Sequence, residues 1–271
     1  MTASPRIAVI GGTGFYQFFD SDTERIEVDT PFGAPSAPIT VGEVDGVSVA
    51  FVPRHGPHHE YLPHTVPYRA NLWALRSVGV DKIFAPCAVG SLTPQLGPGA
   101  LVVPDQLVDR TSGRPQTFFD TGAVHVGFAD PYSPILRDAL LEAAQPDGGA
   151  VDGGTMVVVE GPRFSTRAES RWFAAQGWTL VNMTGHPEAV LARELEMGYA
   201  ALALVTDLDA GLETGSGVRA SDVYAVFERS LEVMKSVVRR VVSHAADLGV
   251  CEASLGEHDV TDLLGLPAVL R

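Results

Sequence analysis

The sequence predicts a single α/β domain in which helices flank a twisted, mixed central β-sheet. Short β-branched runs alternate with amphipathic segments, a pattern typical of strands connected by helices. Hydrophobic residues make up 45% of the 271 residues and charged residues 19%, which suits a globular protein with a sizeable core. No internal repeat, charge block or linker divides the chain, so we expect residues 1–271 to form one domain.

Bulk composition argues against several classes of protein. The net charge of -14 disfavours a general nucleic-acid surface, so any anion site must be built locally. Two cysteines, Cys87 and Cys251, do not make a disulfide framework. No apolar run reaches the roughly 18 residues that span a membrane, and the first residues, MTASP, lead straight into a strand rather than a signal peptide. We therefore expect a soluble, cytoplasmic protein.

The first predicted strand, residues 6–10, runs into a glycine turn at residues 11–14. A glycine turn after a buried strand suggests a nucleotide-binding reductase, which we keep as one alternative. Gln17 stands where the G-x-x-G-x-x-G variant requires its last glycine, and residues 18–20 do not begin a convincing helix. The turn can still bind a phosphate through its N–H groups and the Thr13 hydroxyl.

Arg54 and His55 follow the next strand and precede a Gly-Pro break. This pair suits an oxyanion, because the guanidinium offers a planar fork of donors that fits phosphate. Histidines at positions 55, 58 and 59 also suggest a metal, but no later Cys or His cluster completes a ligand set. We expect an anion site here and no metal ion.

Hydrophobic periodicity and turn residues predict the elements that follow. Asp45-Gly46 is a strong hairpin signal, and Ser133-Pro134 suits the start of a helix. Residues 105–131 show no clear periodicity, and a loop this long is usually functional or lies at an interface. Up to residue 144 we predict strands over 39–44, 47–53, 82–88 and 101–104 and helices over 67–77 and 134–144.

Residues 156–197 are predicted to form a strand–helix–strand–helix unit. Thr166 and Glu169 form a capping-box pattern that opens its first helix, and Pro187 suits the first turn of its second. The two loops that follow its strands then meet at one edge of a parallel sheet, where α/β proteins bind ligands. The unit comprises strands over 156–160 and 179–182 and helices over 166–176 and 188–197.

One further strand, residues 199–206, brings Asp207 and Asp209 to the same edge. Residues 210–220 are rich in glycine and are expected to be mobile. Residues 221–248 have the periodicity of a long amphipathic helix.

Eight segments of the chain resemble the purine nucleoside phosphorylase family in its trimeric branch, and most closely its 5'-methylthioadenosine phosphorylases. They occur in order, cover most of residues 6–211 and are together highly specific. The segments are IGGTGFY (10–16), PRHG (53–56) with His59, YRANLWAL (68–75), AVGSL (88–92), HVGFADPYSP (125–134), EGPRFSTRAES (160–170), NMTGHPEAVLARELE (182–196) and TDLDAG (206–211).

The resemblance implies a nucleoside phosphorylase-like fold and a phosphorolysis reaction. Inorganic phosphate, as co-substrate, attacks C1' of a purine nucleoside, and the free purine leaves with the sugar 1-phosphate. The site then needs a phosphate cradle, surroundings that tolerate an oxocarbenium-like sugar, and a group that protonates the purine at N7. The resemblance further implies a homotrimer, no cofactor, and a role in purine and methionine salvage.

The resemblance also implies which residues bind each part of the substrates. The family often has threonine or another polar residue at the position of Cys87, which leaves a direct role for that thiol open. Gly185-His186 also departs from the pair common in relatives, which leaves the shape of the sugar pocket open. The implied phosphate ligands are Thr13, Arg54, His55, Ala88 and Thr184; the ribose and 5'-group residues are Met183, His59 and, from the neighbouring subunit, His125; the base-binding residues are Phe164, Ser165, Asp207 and Asp209.

The choice of base follows from two carboxylates. Oxopurine-selective relatives carry Glu in the stretch that matches Ser165 and Asn near Asp207. An ionised carboxylate only accepts hydrogen bonds, so it favours the C6 amine of adenine over a keto oxygen. We assign Asp207 as the N7 partner and general acid, and Asp209 as support for recognition of the amine.

Two alternatives to methylthioadenosine phosphorolysis stay open besides the reductase. One is a 6-oxopurine phosphorylase that acts on methylthioinosine, inosine or guanosine. The other is a non-catalytic purine-binding protein on the same fold. Arg54, His55, Thr184 and Asp207 argue against mere binding, because a purine binder needs no phosphate cradle beside the base.

Overall fold

The computed structural model describes residues 4–12, 14–15, 18–19, 23–122, 124–210, 218, 220–249 and 260–266. The strands are β1 Ile7–Gly11, β2 Glu24–Ile26, β3 Ile39–Val44, β4 Val47–Pro53, β5 Lys82–Ser91, β6 Leu101–Val103, β7 Gln106–Arg110, β8 Val151–Asp152, β9 Thr155–Val159, β10 Leu180–Asn182 and β11 Gly198–Leu208. The α-helices are α1 Tyr68–Ser77, α2 Pro134–Ala144, α3 Arg167–Ala175, α4 Gly185–Glu194, α5 Ala220–His244 and α6 Val260–Leu264, and a 3-10 turn spans Gln145–Asp147.

The strands form one mixed sheet, which confirms the predicted fold class. Its main path runs β2-β3-β4-β1-β5-β10-β9-β7, while β11 pairs with β5 and β6, and β6 pairs with β8. The β1–β4, β1–β5, β5–β11 and β9–β10 pairs are parallel, whereas β3–β4 and β5–β10 are antiparallel. The β9–α3–β10 unit predicted from the sequence therefore has the expected parallel strands.

The sheet opens beside β5, its central strand. On one edge β5 pairs with β1 over Lys82–Phe84 and with β10 at Gly90 and Ser91. On the other edge it pairs with β11 along its whole length. The first edge is thus bonded at both ends but not between them, and the carboxyl ends of several strands face this opening. Openings of this kind are where α/β sheets bind ligands.

Two hydrophobic layers cover the faces of the sheet. Ala8 and Ile10 of β1 pack in the layer with α1 and α4, while Ile7 and Val9 pack in the layer with α2 and α5. This alternation follows from the two-residue period of a strand. Because helices cover both faces, the open edge beside β5 is left as the accessible part of the central sheet.

Local sequence signals placed several elements correctly. The β3–β4 hairpin has its predicted bounds, and Asp45 and Gly46 adopt φ of 49° and 81°. Both central residues of a type I′ turn need a positive φ, which the Asp-Gly pair supplies at low cost. The capping box is also confirmed, since the Thr166 side chain accepts from Glu169 N and the Glu169 carboxylate accepts from Thr166 N.

Other elements differ from the sequence predictions. Residues 105–131 contain β7, a half-exposed strand at the end of the sheet, whose burial does not alternate and gave no periodic signal. Helix α4 ends at Glu194, so the last turn of the helix predicted over 188–197 is absent. His186 is extended (φ -119°, ψ 132°), so helical geometry begins only at Pro187.

The glycine-rich stretch predicted to be mobile lies mostly outside the described residues, as do Thr13 and Cys251. Among the helices that the structure describes, none is long and apolar enough to cross a membrane.

Candidate active site

A cavity of about 400 Å³ lies at the opening beside β5. The turn after β1, the ends of β4, β5, β10 and β11, the loop before α3, and α5 all contribute to its wall. Thr13 lies outside the described residues, although its neighbour Gly12 lines the cavity. His125 is exposed and is not part of the wall of this single chain. The other predicted site residues all line it, namely Arg54, His55, His59, Ala88, Phe164, Ser165, Met183, Thr184, Asp207 and Asp209.

Arg54 is buried, and its guanidinium fork is occupied by Glu188. Nε and Nη2 each donate to a carboxylate oxygen of Glu188 at 2.7 Å, and the Tyr199 hydroxyl donates to the same carboxylate at 2.8 Å. Burial lowers the pKa of Arg54, but the Glu188 carboxylate outweighs this and raises it. Nη1 makes one long hydrogen bond, of 3.4 Å to the Pro86 carbonyl, so it is the group of the guanidinium with donor capacity left for a ligand. The sequence predicted that the fork itself meets an oxyanion, whereas the structure turns the fork towards Glu188.

His55 is held in one tautomer. Its Nδ1 lies 2.8 Å from the carbonyl oxygen of Tyr61. A carbonyl only accepts, so Nδ1 carries the hydrogen and Nε2 keeps its lone pair. Burial and the neighbouring Arg54 charge lower the pKa of His55 to about 4, so the ring is neutral at pH 7. His59 stacks on it with ring centroids 4.6 Å apart.

Asn182 organises the loop that carries Thr184. Its Oδ1 accepts the N–H groups of Thr184 and Gly185, both at 2.7 Å, and its Nδ2 donates to the Ala88 carbonyl at 3.2 Å. The N–H and C=O of one strand residue point to the same side, so the Ala88 N–H also faces the opening. The sequence expected the start of a helix to favour an anion at Thr184. In the structure these two N–H groups face Asn182, and the Thr184 hydroxyl makes only a long contact of 3.4 Å with the same Asn182 oxygen, so it keeps donor capacity for a ligand.

A β-bulge aims the two carboxylates at the cavity. In the β5–β11 pair Val205 lies opposite Val89 but Asp207 lies opposite Gly90, so Thr206 is the extra residue. A Cβ on Gly90 would lie 3.2 Å from Asp207 Oδ1 and 3.4 Å from Asp209 Cβ. The glycine therefore leaves the space in which both carboxylates sit.

Both carboxylates hold their protons more tightly than an ordinary aspartate. Burial raises the pKa of Asp207 to about 6, with the Thr206 hydroxyl opposing and the Asp209 charge reinforcing the shift. Burial also raises the pKa of Asp209, opposed by a hydrogen bond of 2.6 Å from the Ser170 hydroxyl. A carboxyl group with a pKa near 6 can give and recover a proton close to neutral pH.

Apolar side chains form the walls between these two polar ends. Gly161 has a φ of 63°, and a Cβ there would lie 2.6 Å from Met183 Sδ, so the glycine lets Met183 line the cavity. Phe164 is 38% exposed and lies at the cavity edge. Helix α5 closes one side of the cavity with Val223, Tyr224 and Phe227. Sequence analysis missed these residues, because their apolar spacing is equally typical of core packing.

The chemistry of the remaining groups narrows what the site can do. Burial raises the pKa of the Cys87 thiol to about 12, so it stays neutral and is a poor nucleophile. No group of three or more His, Cys, Asp or Glu within the described ranges could hold a metal ion. The arrangement combines hydrogen-bond donors for an anion at one end with two carboxyl groups of raised pKa at the other. Transfer of a group to an oxyanion could use both.

Comparison of the sequence with families and curated proteins gives consistent matches. A model of the Phosphorylase superfamily matches residues 6–243. An S-methyl-5'-thioadenosine phosphorylase of Mycolicibacterium smegmatis is 71% identical over 232 residues, which are 86% of this chain and 88% of that protein. A purine nucleoside phosphorylase of Streptomyces coelicolor is 54% identical over 267 residues, covering 93% of this chain and 95% of that protein.

Solved structures agree with these matches. A methylthioadenosine phosphorylase from an antarctic soil metagenomic library has a TM-score of 0.88 at 39% identity, covering 98% of this chain and 96% of that chain. The methylthioadenosine phosphorylase of Schistosoma mansoni in complex with adenine has a TM-score of 0.85 at 34% identity, covering 96% of this chain and 95% of that chain.

Proposed function

Because the chain belongs to the phosphorylase superfamily, we propose that it catalyses phosphorolysis of 5'-methylthioadenosine, a purine nucleoside. The products are adenine and 5-methylthioribose 1-phosphate, which makes the enzyme a pentosyltransferase. One observation carries the proposal: the Arg54-His55 pair and two carboxylates of raised pKa, Asp207 and Asp209, line one cavity. The close relatives named for this reaction support the same substrate.

In the proposed reaction phosphate binds at the end of the cavity formed by Arg54, His55 and Thr184. Arg54 contributes Nη1, Thr184 its hydroxyl and Ala88 its backbone N–H, with Thr13 completing the cradle by resemblance. A phosphate oxygen forms a bond to C1' as the bond from C1' to N9 breaks, and the electron pair goes to the purine. The cationic character at the sugar is shared between the incoming phosphate and the departing base, as in glycoside cleavage.

Asp207 is the proposed catalytic residue. Its protonated carboxyl donates to N7 of the leaving adenine, which then departs as a neutral base. Proton transfer of this kind contributes roughly 10² to 10⁴ in rate. Asp209 accepts from the C6 amine, Ser165 and Phe164 bound the base, and Met183 lies against the ribose.

The 5' substituent is proposed to lie towards His59. Leu62 and Pro63 line the same part of the cavity and give it an apolar surface that suits a methylthio group. His125, exposed in the single chain, is proposed to complete this pocket from the neighbouring subunit of a homotrimer. The sequence alone supports three further parts of the proposal: a cytoplasmic location, a role in purine and methionine salvage, and the lack of any cofactor besides phosphate as co-substrate.

A second candidate is phosphorolysis of a 6-oxopurine nucleoside such as methylthioinosine, inosine or guanosine. The raised pKa of Asp207 favours it, because a carboxyl group that keeps its proton can donate to a keto oxygen. The Streptomyces coelicolor relative, named a purine nucleoside phosphorylase, also supports it. An ionised Asp209 near the C6 substituent favours the adenine nucleoside instead.

Release of free base tests the proposed function. The purified protein is incubated with methylthioadenosine, adenosine, methylthioinosine and inosine, each with and without phosphate. We expect phosphate-dependent adenine release that is fastest from methylthioadenosine. Release of hypoxanthine alone would overturn the carboxylate assignment, and no release from any nucleoside would favour a binding protein.

A further inference from the structure

The guanidinium of Arg114 lies behind the candidate site and bridges its two loops. Nη1 donates to the carbonyl oxygens of Met183 at 3.0 Å and His186 at 2.7 Å. Nη2 donates to the carbonyl oxygen of Glu160 at 2.8 Å. Met183 and His186 are the ends of the loop that carries Thr184, residues 183–186, here called the phosphate loop. Glu160 begins the loop that carries Phe164 and Ser165, residues 160–166, here called the base loop. One side chain outside the cavity thus holds both loops.

Because the Arg114 guanidinium is buried, it depends on the positions of the carbonyl groups that accept its hydrogen bonds. Arg114 is 8% exposed, and its nearest carboxylate oxygen, on Glu160, lies 3.4 Å from Nε. Three backbone carbonyls therefore supply the close acceptors for a buried charge. An unsatisfied buried donor costs about 1–3 kcal/mol, more when charged, so the guanidinium and the carbonyls fix one another in place.

A third part of the cavity wall is connected to the same side chain. Arg114 Cζ lies 5.9 Å from the centroid of the Tyr68 ring, within cation–π range. The Tyr68 hydroxyl donates to the Pro63 carbonyl at 2.7 Å, and Pro63 lines the cavity. The wall near the proposed 5' group is thus tied to Arg114 through one aromatic ring.

The backbone that carries Arg114 is itself anchored to α4. Gln116 Oε1 lies 2.9 Å from His186 Nε2. The Thr117 hydroxyl and the Phe118 N–H each donate to the Glu194 carboxylate at 2.7 Å. Residues 114–118, in the stretch without clear sequence periodicity, therefore form a fixed support across the back of the site.

We propose that Arg114 is a positioning residue for the reaction, which rests on the proposed function. It sets the spacing between the phosphate loop and the base loop without touching either substrate. Lysine cannot replace it, because an ammonium group is a point charge and lacks the planar fork that reaches three carbonyls. Misplacing reacting groups by about 1 Å can lower the rate about 100-fold.

The test compares Arg114→Lys with Arg137→Lys. Arg137 is the control, since it also donates to two carbonyls, of Pro104 at 3.0 Å and Val103 at 3.4 Å, besides pairing with Asp152, and it does not line the cavity. We expect kcat/KM for methylthioadenosine to fall about 100-fold in Arg114→Lys, with a larger share in kcat, and about twofold or less in Arg137→Lys. An Arg114→Lys protein that melts like the wild type and keeps its kcat/KM would overturn the inference.

Chemical rescue separates positioning from general stability. Arg114→Ala leaves space for a guanidinium ion, so low, non-denaturing guanidinium should restore part of kcat, whereas ammonium should not. No rescue in a folded Arg114→Ala would contradict the role of the fork. If this variant does not fold, the lysine variant decides alone. A wild-type protein that neither releases adenine nor binds it by calorimetry would overturn the proposed function as well.

Discussion

The two ends of the cavity, the proposed anion end at Arg54 and His55 and the proposed base end at Asp207 and Asp209, differ in how their charged groups are compensated. At the anion end the charged group is already compensated: both arms of the Arg54 fork bind Glu188, and His55 is neutral and fixed by the Tyr61 carbonyl. At the proposed base end the half-buried Asp207 and the buried Asp209 have hydroxyl partners, and no basic side chain among the described residues pairs with either carboxylate. The protonation of the first end is therefore fixed near pH 7, whereas the carboxyl groups of the second end can gain or lose a proton there.

This difference assigns the two ends different tasks. A preorganised set of hydrogen-bonding groups whose protonation does not change near pH 7 is suited to holding phosphate in one orientation. A carboxyl group with a raised pKa is suited to proton transfer. We therefore expect changes at the base end to alter kcat and its pH dependence, and changes at the anion end to alter phosphate binding and stability.

Asp207→Asn should produce the largest effect on catalysis. The amide keeps the shape of the side chain but cannot transfer a carboxyl proton. We expect kcat/KM for methylthioadenosine to fall by about 10² to 10⁴, while KM for phosphate changes about threefold or less. The control is Asp120→Asn, an exposed carboxylate that pairs with Arg69. Equal losses in kcat and phosphate affinity would contradict separate tasks for the two ends.

Glu188→Gln tests the compensated end. It leaves the Arg54 charge buried without its carboxylate, and breaking such a pair costs about 3–5 kcal/mol of unfolding free energy. Phosphate then becomes the counterion, so it should raise the melting temperature more in this variant than in the wild type. Denaturant unfolding with and without phosphate measures both effects. A variant as stable as the wild type would show that the pair does not hold Arg54.

The pH dependence should distinguish the ends without any substitution. The donor form of Asp207 is the protonated carboxyl, so kcat/KM for the nucleoside should fall as pH rises through about 6. The same raised pKa makes the folded state bind more protons, so the stability contributed by Asp207 also declines as pH rises towards that value. The lowered pKa of His55, about 4, predicts that this histidine gives no limb between pH 5 and 8. A basic limb that persists in Asp207→Asn would assign the proton elsewhere.

Gly161→Ala should have the smallest effect and tests the wall between the ends. A Cβ there would push against Met183 Sδ, and the φ of 63° costs an L-residue about 1–2 kcal/mol. Gly177→Ala is the matched control, since its φ is 78° but nothing lies within 4 Å. We expect both variants to lose similar stability and only Gly161→Ala to raise KM for the nucleoside. Similar KM values would show that Met183 does not shape the ribose site.

Sequence reasoning succeeded where a signal is local. The Asp45-Gly46 turn and the Thr166–Glu169 capping box depend on residues within three positions of each other, so their chemistry can be read directly. Glu188 binds Arg54 across 134 positions, and no local pattern identifies Arg54 as its partner. Its one signal is a carboxylate among apolar neighbours in a predicted helix.

The orientation of the site groups was equally hidden. The bulge at Thr206 depends on how β11 pairs with β5, and Arg114 lies in a stretch without periodicity. The residue types in the site were therefore predictable from motifs. Their partners were not, because tertiary contacts determine which donor faces the cavity.

Phosphorus NMR of the products tests most directly whether the two ends act together. The wild-type protein is incubated with methylthioadenosine and inorganic phosphate, and adenine is measured in the same sample. We expect a pentose 1-phosphate signal that grows one for one with adenine and is lost in Asp207→Asn. Adenine release without that signal would mean that water attacks the sugar, and it would contradict a phosphate site at Arg54 and His55.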